Sequence, residues 1–266
     1  MKKSHEHYFK DTWDEYLKKF PVIFKTSLLL QILPMILGMI IIILATVLII
    51  FGASSGFSES ALSSLQNPQE FFELIFNGIS FAAIIPAAIV ITLAALAIAV
   101  FFILSSIVHI KIALSEEKEV TFEKALKFAK KNFWNYLGLA IVMNILLALL
   151  FLLLIIPGII FLVYWVLAPY ILLNEGKTVS ESLQESKNRV GKKWWPLFFH
   201  LLGGYLIIMC ATGLLTSILP LLGNLFSIIV TMPILLIFLK NIYRGLSRKE
   251  AKQSTKPQKK KPSKKK

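Results

Sequence analysis

The chain has one cysteine among 266 residues, Cys210, and it lies inside an apolar run. That excludes an intrachain disulfide or a CxxC metal site, and the amino terminus carries no lipidation signal. Acidic residues are scarce, 15 against 29 lysines and arginines, which leaves a net charge of +14. Charged residues reach only 17%, where soluble domains carry about a quarter. Neither sign of charge occurs in residues 27–51, 80–110, 137–173 or 197–239. The intramembrane carboxylates and basic groups of proton relays and ion-coupled pumps are therefore missing from these stretches.

Catalytic signatures are missing as well. The sequence holds no GxxxxGK[ST] phosphate loop, no HExxH, no GxSxG and no two-aspartate pattern of the kind lipid phosphotransferases use. His5 and His7 flank Glu6, but an i,i+2 pair does not share a helical face and no third ligand is near. Glu116, Glu117 and Glu119 lack a spaced partner and read as a solvated turn. Asn144 and His200 are the most polar groups inside the apolar runs, and they read as interhelical glue or interface residues, as does His109 at a helix end. No catalytic residue, cofactor-binding residue or metal ligand is expected, and an enzyme is disfavoured.

What the sequence has instead is apolar length. Apolar residues make up 56% and lie in runs able to cross about 30 Å of hydrocarbon at 1.5 Å per residue. The expectation is an all-α polytopic membrane protein with six transmembrane helices and interfacial amphipathic helices. Helix one covers Ser27–Phe51, too long for a cleaved signal peptide, and helix two Ser80–Ile110, with a bend near Pro86. Helices five and six cover Leu197–Leu219 and Leu222–Leu239 around Pro220. Between them, Leu137–Leu173 is long for one span and short for two. Pro157 and Gly158 suit a hairpin turn there, joining helices three and four; a single kinked helix is the alternative.

Charge decides between the two. With a hairpin, all 29 basic residues fall before residue 26, in 111–131, in 177–193, or from Lys240 onward, and each of these segments lies on the same side. Lysine and arginine stay on the cytoplasmic side of short loops, so both termini are expected there, in the cytoplasmic membrane, with the Pro157 turn facing outward. The expected domains are an N-terminal amphipathic segment, 1–25, a six-helix membrane domain, 26–246, and a disordered lysine-rich tail, 247–266.

Three further segments have helical periodicity. Thr121–Leu137 places Phe122, Ala125, Ala129 and Phe133 on one face and Lys124, Lys127 and Lys131 on the other, as a surface helix with Trp134 and Tyr136 at headgroup level. Thr178–Val190 opens on a Thr178/Glu181 capping box, carries a Glu185/Arg189 pair, and leads to the anchors Trp194 and Trp195. A helix start is read at Asn67–Glu70, with Phe71, Phe72, Leu74 and Ile75 dipping into the outer leaflet. With the first 25 residues, these suggest a loose repeat of surface helix, aromatic anchor and membrane hairpin beginning near Ser4, Thr121 and Thr178.

Ala125, Leu126, Asn132, Phe133 and Trp134, then Ile156, Pro157, Gly158 and Ile159, then Ser182, Leu183, Ser186, Val190 and Trp194 carry a resemblance. Over roughly residues 115 to 240 the chain resembles the membrane domain fused to bacterial glycerophosphoryl diester phosphodiesterases and its stand-alone relatives of unknown function. Ser182 stands where that family has alanine. The family's phosphodiesterase chemistry belongs to a separate soluble barrel, so the resemblance implies architecture and not catalysis.

The functional expectation is a non-enzymatic membrane protein that organises lipids or partners; a small-molecule transporter component, with segments broken near Pro86, Pro157 and Pro233, is the alternative. The tail lysines Lys259, Lys260, Lys261, Lys264, Lys265 and Lys266 would contact an anionic leaflet. RNA or ribosomes rank behind lipid as partners of the tail. Small residues, Ser80, Ala83, Ala87 and Ala94 in helix two and Gly203 and Gly204 in helix five, allow close helix packing, within one chain, in a homo-oligomer, or with another membrane protein.

Overall fold

The computed structural model describes residues 5–54, 81–116, 121–191, 193–218 and 227–254. Among them there is no strand. The helices are α1 (His5–Ser27), α2 (Leu33–Ser54), α3 (Phe81–Leu114), α4 (Phe122–Leu153), α5 (Ile155–Trp165), α6 (Ala168–Glu175), α7 (Val179–Gly191), α8 (Trp194–Ile218) and α9 (Met232–Ser254). Wider π turns, Leu28–Ile32 and Ser227–Thr231, lead into α2 and α9. Six stretches are long and apolar enough to cross a membrane: Thr12–Val47, Ile85–Leu114, Phe122–Leu153, Ile155–Glu175, Trp194–Ser217 and Ile228–Ser247. Outward residues of these stretches, Ile43, Leu93, Ile145 and Leu206 among them, are about half exposed. The hydroxyls of Thr46, Thr92 and Thr216 donate to carbonyls four residues back, so these three protons are paired within their own helices.

The chain forms two compact units, Leu28–Ile103 by itself and Met1–Ser27 with Leu104–Lys266. In the first, Gly38 of α2 lies against Ile98 of α3, and a Cβ there would fall 2.3 Å from the isoleucine Cδ1. Ala87 and Ala94, on the small-residue face read from the sequence, are buried. Among the described residues, a Cβ at Gly203 or Gly204 would meet nothing within 4 Å, so these two glycines serve no close packing seen within this chain.

In the second unit, α4 is one 32-residue helix, and the expected surface helix Thr121–Leu137 is its first half. Its apolar face continues without a turn signal between Leu137 and Leu153, so nothing separates the two. After Leu154, an extended residue (φ −155°, ψ 126°), the chain folds back, and α5 and α6 both pack against α4. The hairpin therefore replaces the single kinked helix, with the break at Leu154. Pro157 and Gly158 lie three and four residues further, in the first turn of α5, where a proline's missing amide proton costs no hydrogen bond. The Phe151 ring lies against Gly158, 2.6 Å from where a Cβ would be.

The N-terminal segment is a helix from His5, and its Thr12, Tyr16 and Ile23 face is buried. At the other end, α9 extends to Ser254, so residues 247–254 are helical where a disordered tail was expected. Lys259, Lys260, Lys261, Lys264, Lys265 and Lys266 lie outside the described residues, as does the Asn67–Ile75 segment.

Candidate functional site

Polar side chains of the larger unit gather where α1, α3, α4, α6, α7 and α9 bring their charged ends together. Arg189, 8% exposed, is the centre of one cluster. The capping box predicted for α7 forms, with the Thr178 amide donating to Glu181 at 2.9 Å and the Glu181 amide to Thr178 Oγ1 at 3.4 Å. Hydrogen bonds from Thr178 hold the Glu181 carboxyl below its ordinary value. The helix so started carries Arg189 to Glu175, where the guanidinium binds both carboxylate oxygens at 2.6 and 3.0 Å. Its Nε donates to Glu185 at 2.8 Å, four residues back as the sequence predicted, and Nη1 reaches Ser247 at 3.1 Å. Burial works against the guanidinium charge, but the hydrogen bonds with Glu175 and Glu185 outweigh it and raise its pKa. Tyr243 donates to Glu175 at 2.7 Å and accepts from Asn174 at 2.9 Å, while its ring stacks on Tyr170.

A second cluster joins the first and last helices. Glu15 of α1 pairs with Lys240 of α9, whose side chain is 2% exposed, and with Lys19 at 2.6 Å. Lys19 also donates to the carbonyls of Ala113 and Ser115, and Arg244 to that of Leu114, so the carboxyl end of α3 is held by cations from both helices. This is the arrangement that a helix's negative carbonyl end favours. Asn241 donates to Thr12 at 3.1 Å, and Tyr16 to the Ile229 carbonyl at 3.2 Å. As α1 advances its partners recede through α9 and into the π turn before it, so the two segments run antiparallel.

His109 is buried between α1 and α3. Its Nδ1 donates to the Ser105 carbonyl at 2.8 Å, which in the neutral ring leaves Nε2 to accept from Ser27 at 3.3 Å. Asn144, by contrast, bonds the Ala140 carbonyl of its own helix, and His200 bonds that of Pro196, so these bonds bridge no helices. Among the described residues no three His, Cys, Asp or Glu side chains could hold a metal ion.

On the outer surface of α4, Lys124, Lys127, Lys130 and Lys131 are all exposed, and Trp134 just beyond them is 76% exposed. Lys187 of α7 is exposed too, 5.5 Å from the centre of the Phe161 ring. Sequence reading found Arg189 with Glu185 but missed Glu175, Tyr243, Glu15 and Lys240, whose partners lie far along the chain. The one signal was Lys240 and Arg244, a turn apart at the end of the last apolar run.

Helices, apolar surfaces and a charged rim together define an α-helical, multi-pass membrane protein. No family model, curated protein or solved structure matches the chain.

Proposed function

We propose that the protein is non-enzymatic and gathers anionic lipids at the cytoplasmic face of the cell membrane, through the basic surface of α4 and the lysine-rich tail, with both termini on that side. The observation that supports this most directly is the row Lys124, Lys127, Lys130 and Lys131, exposed on one helix and followed by the exposed Trp134. By contrast, Arg189, Lys19 and Lys240 are held by carboxylates of the same chain. Each lysine near an anionic leaflet contributes roughly 1 kcal/mol of attraction that salt weakens. The resemblance to the phosphodiesterase-associated membrane domain supports the same reading, since it implies architecture without the barrel's chemistry. The test is native mass spectrometry of the full chain drawn from mixed membranes. Anionic lipids should be enriched over bulk at low salt, less so when Lys124, Lys127 and Lys131 are glutamine, and a lipid shell of bulk composition at low salt would refute the proposal. A small-molecule transporter component is the second reading, favoured by His109 with Ser27 and Ser105 in the membrane. Solute flux into proteoliposomes that His109→Ala abolishes would select it.

A further inference from the structure

The α4–α5 hairpin ends in five consecutive apolar residues that touch almost nothing. Leu152, Leu153, Leu154, Ile155 and Ile156 are 82%, 75%, 64%, 68% and 72% exposed, and no polar side chain occurs from Ile145 to Val163. The connection between α6 and α7 shows what a wet turn looks like here: Gly176, Lys177 and Thr178, with ion pairs from Lys177 to Glu175 and Glu185. The apex also makes few demands on solvent through its backbone. The Leu154 amide donates to the Leu150 carbonyl at 2.9 Å, and its carbonyl accepts from Gly158 at 3.3 Å. Pro157 has no amide proton, so of the four donors a helix start ordinarily leaves over, only those of Ile155 and Ile156 remain.

How deep the apex goes is fixed by what lies beside α5. Ser186 of α7 donates to the Tyr164 carbonyl at 2.6 Å and accepts from the Leu167 amide at 3.2 Å, so α7 is bonded to the end of α5. Exposed Lys187 and Asn188 follow it, with the Lys187 ammonium over Phe161 and Tyr164. Trp194, at the start of α8, donates to the Ile160 carbonyl at 3.2 Å. An exposed ammonium, an exposed amide and a tryptophan pair belong to the membrane surface, because charge in hydrocarbon is costly. That places Ile160 to Tyr164 at the surface. From there Leu154 is only about 9 to 15 Å along the helix axis, half of a hydrocarbon core about 30 Å thick. Were the apex to reach the far surface, Lys187 would lie near the bilayer centre. The other limb is longer: Trp134 is about 30 Å along α4 from Leu154, so α4 has to tilt by about 40° to bring it into the headgroup layer. In contrast α8, starting at that same surface, has a 24-residue apolar stretch, long enough to cross completely.

We propose that the α4–α5 hairpin is re-entrant: it enters and leaves the bilayer on the side of α7, and its Leu152–Ile156 apex rests among lipid acyl chains near the midplane without reaching the opposite aqueous phase. This revises the outward-facing Pro157 turn expected from charge, while keeping α7 on the same side as α4's lysines. It rests on the membrane character of the helices and is independent of any lipid preference. The test uses the full-length protein in sealed vesicles, with Cys210→Ser removing the native thiol and single cysteines at Leu152, Ile156 and Lys187. Both apex positions are exposed, so substitution disturbs no packing. Nitroxides at residues 152 and 156 should show high oxygen and low nickel-chelate accessibility, at a depth near the bilayer centre. A membrane-impermeant maleimide should label residue 187 from one face and the apex from neither. Apex labelling from the face opposite residue 187, or a nitroxide depth nearer the far headgroups than the centre, would establish a full crossing and overturn the proposal. Apex labelling from the same face as residue 187 would place the hairpin outside the bilayer and overturn it equally.

Discussion

Ser182 and Ser186 lie one turn apart on the buried face of α7 and have opposite surroundings. The Ser186 hydroxyl is bonded to both Tyr164 and Leu167, whereas that of Ser182 is buried with no partner among the described residues. A buried hydroxyl without a partner costs about 1–3 kcal/mol, and a made bond to one contributes about as much when its loss strands other groups. Ser182→Ala should therefore raise the thermal unfolding midpoint in detergent, by roughly 1 kcal/mol in stability, while Ser186→Ala should lower it by a similar or larger amount. The Glu15 cluster offers a second contrast. Glu15→Gln leaves Lys240 buried without a carboxylate, a change that costs about 3–5 kcal/mol in comparable buried pairs. Lys240→Met leaves Glu15 still paired with Lys19, so it should cost clearly less; denaturation of the two variants side by side checks the order. At this scale local pairs were legible in sequence, the Thr178/Glu181 box and Glu185/Arg189 among them, since three- and four-residue spacing on a helix determines contact. Glu175 and Lys240 were not, because their partners are chosen by tertiary packing.

Among the helices, hydropathy located the apolar stretches but not where helices stop. Leu137 was read as a boundary between a surface helix and a span, yet α4 runs through it, since charge and apolarity can succeed one another along one helix without any break in propensity. The hairpin was visible in Pro157 and Gly158, but those residues mark the start of α5, where proline is tolerated, and the reversal precedes them. The π turns have no comparable signature in residue type. Gly176 ends α6 at φ +66°, the left-handed conformation, with open space around it. Gly176→Ala should destabilise the protein by about 1 kcal/mol through backbone strain alone, and Gly176→Asn by less, because asparagine visits that region more readily. Thermal unfolding of the pair separates strain from crowding, which would penalise the larger asparagine instead.

Across the whole molecule, the N-terminal helix is held by the last one. Thr12, Glu15 and Tyr16 bond to Asn241, Lys240 and Ile229, and Ile23 is buried on the same face. A chain truncated before Ser227 should leave that face uncovered, and limited trypsin digestion should then cut at Lys18 and Lys19 much faster than in the full-length protein. Unchanged cleavage at those lysines would show that α1 is held without α9. The sequence separation of 225 between Glu15 and Lys240 also has a meaning in time. A ribosome adding about 5–20 residues per second makes the second residue roughly 10–45 s after the first. For that interval α1 exists without its partner, its aromatic and hydroxyl face open to whatever meets a nascent chain at the membrane. The helix that covers the buried face of α1 is thus made long after α1 itself.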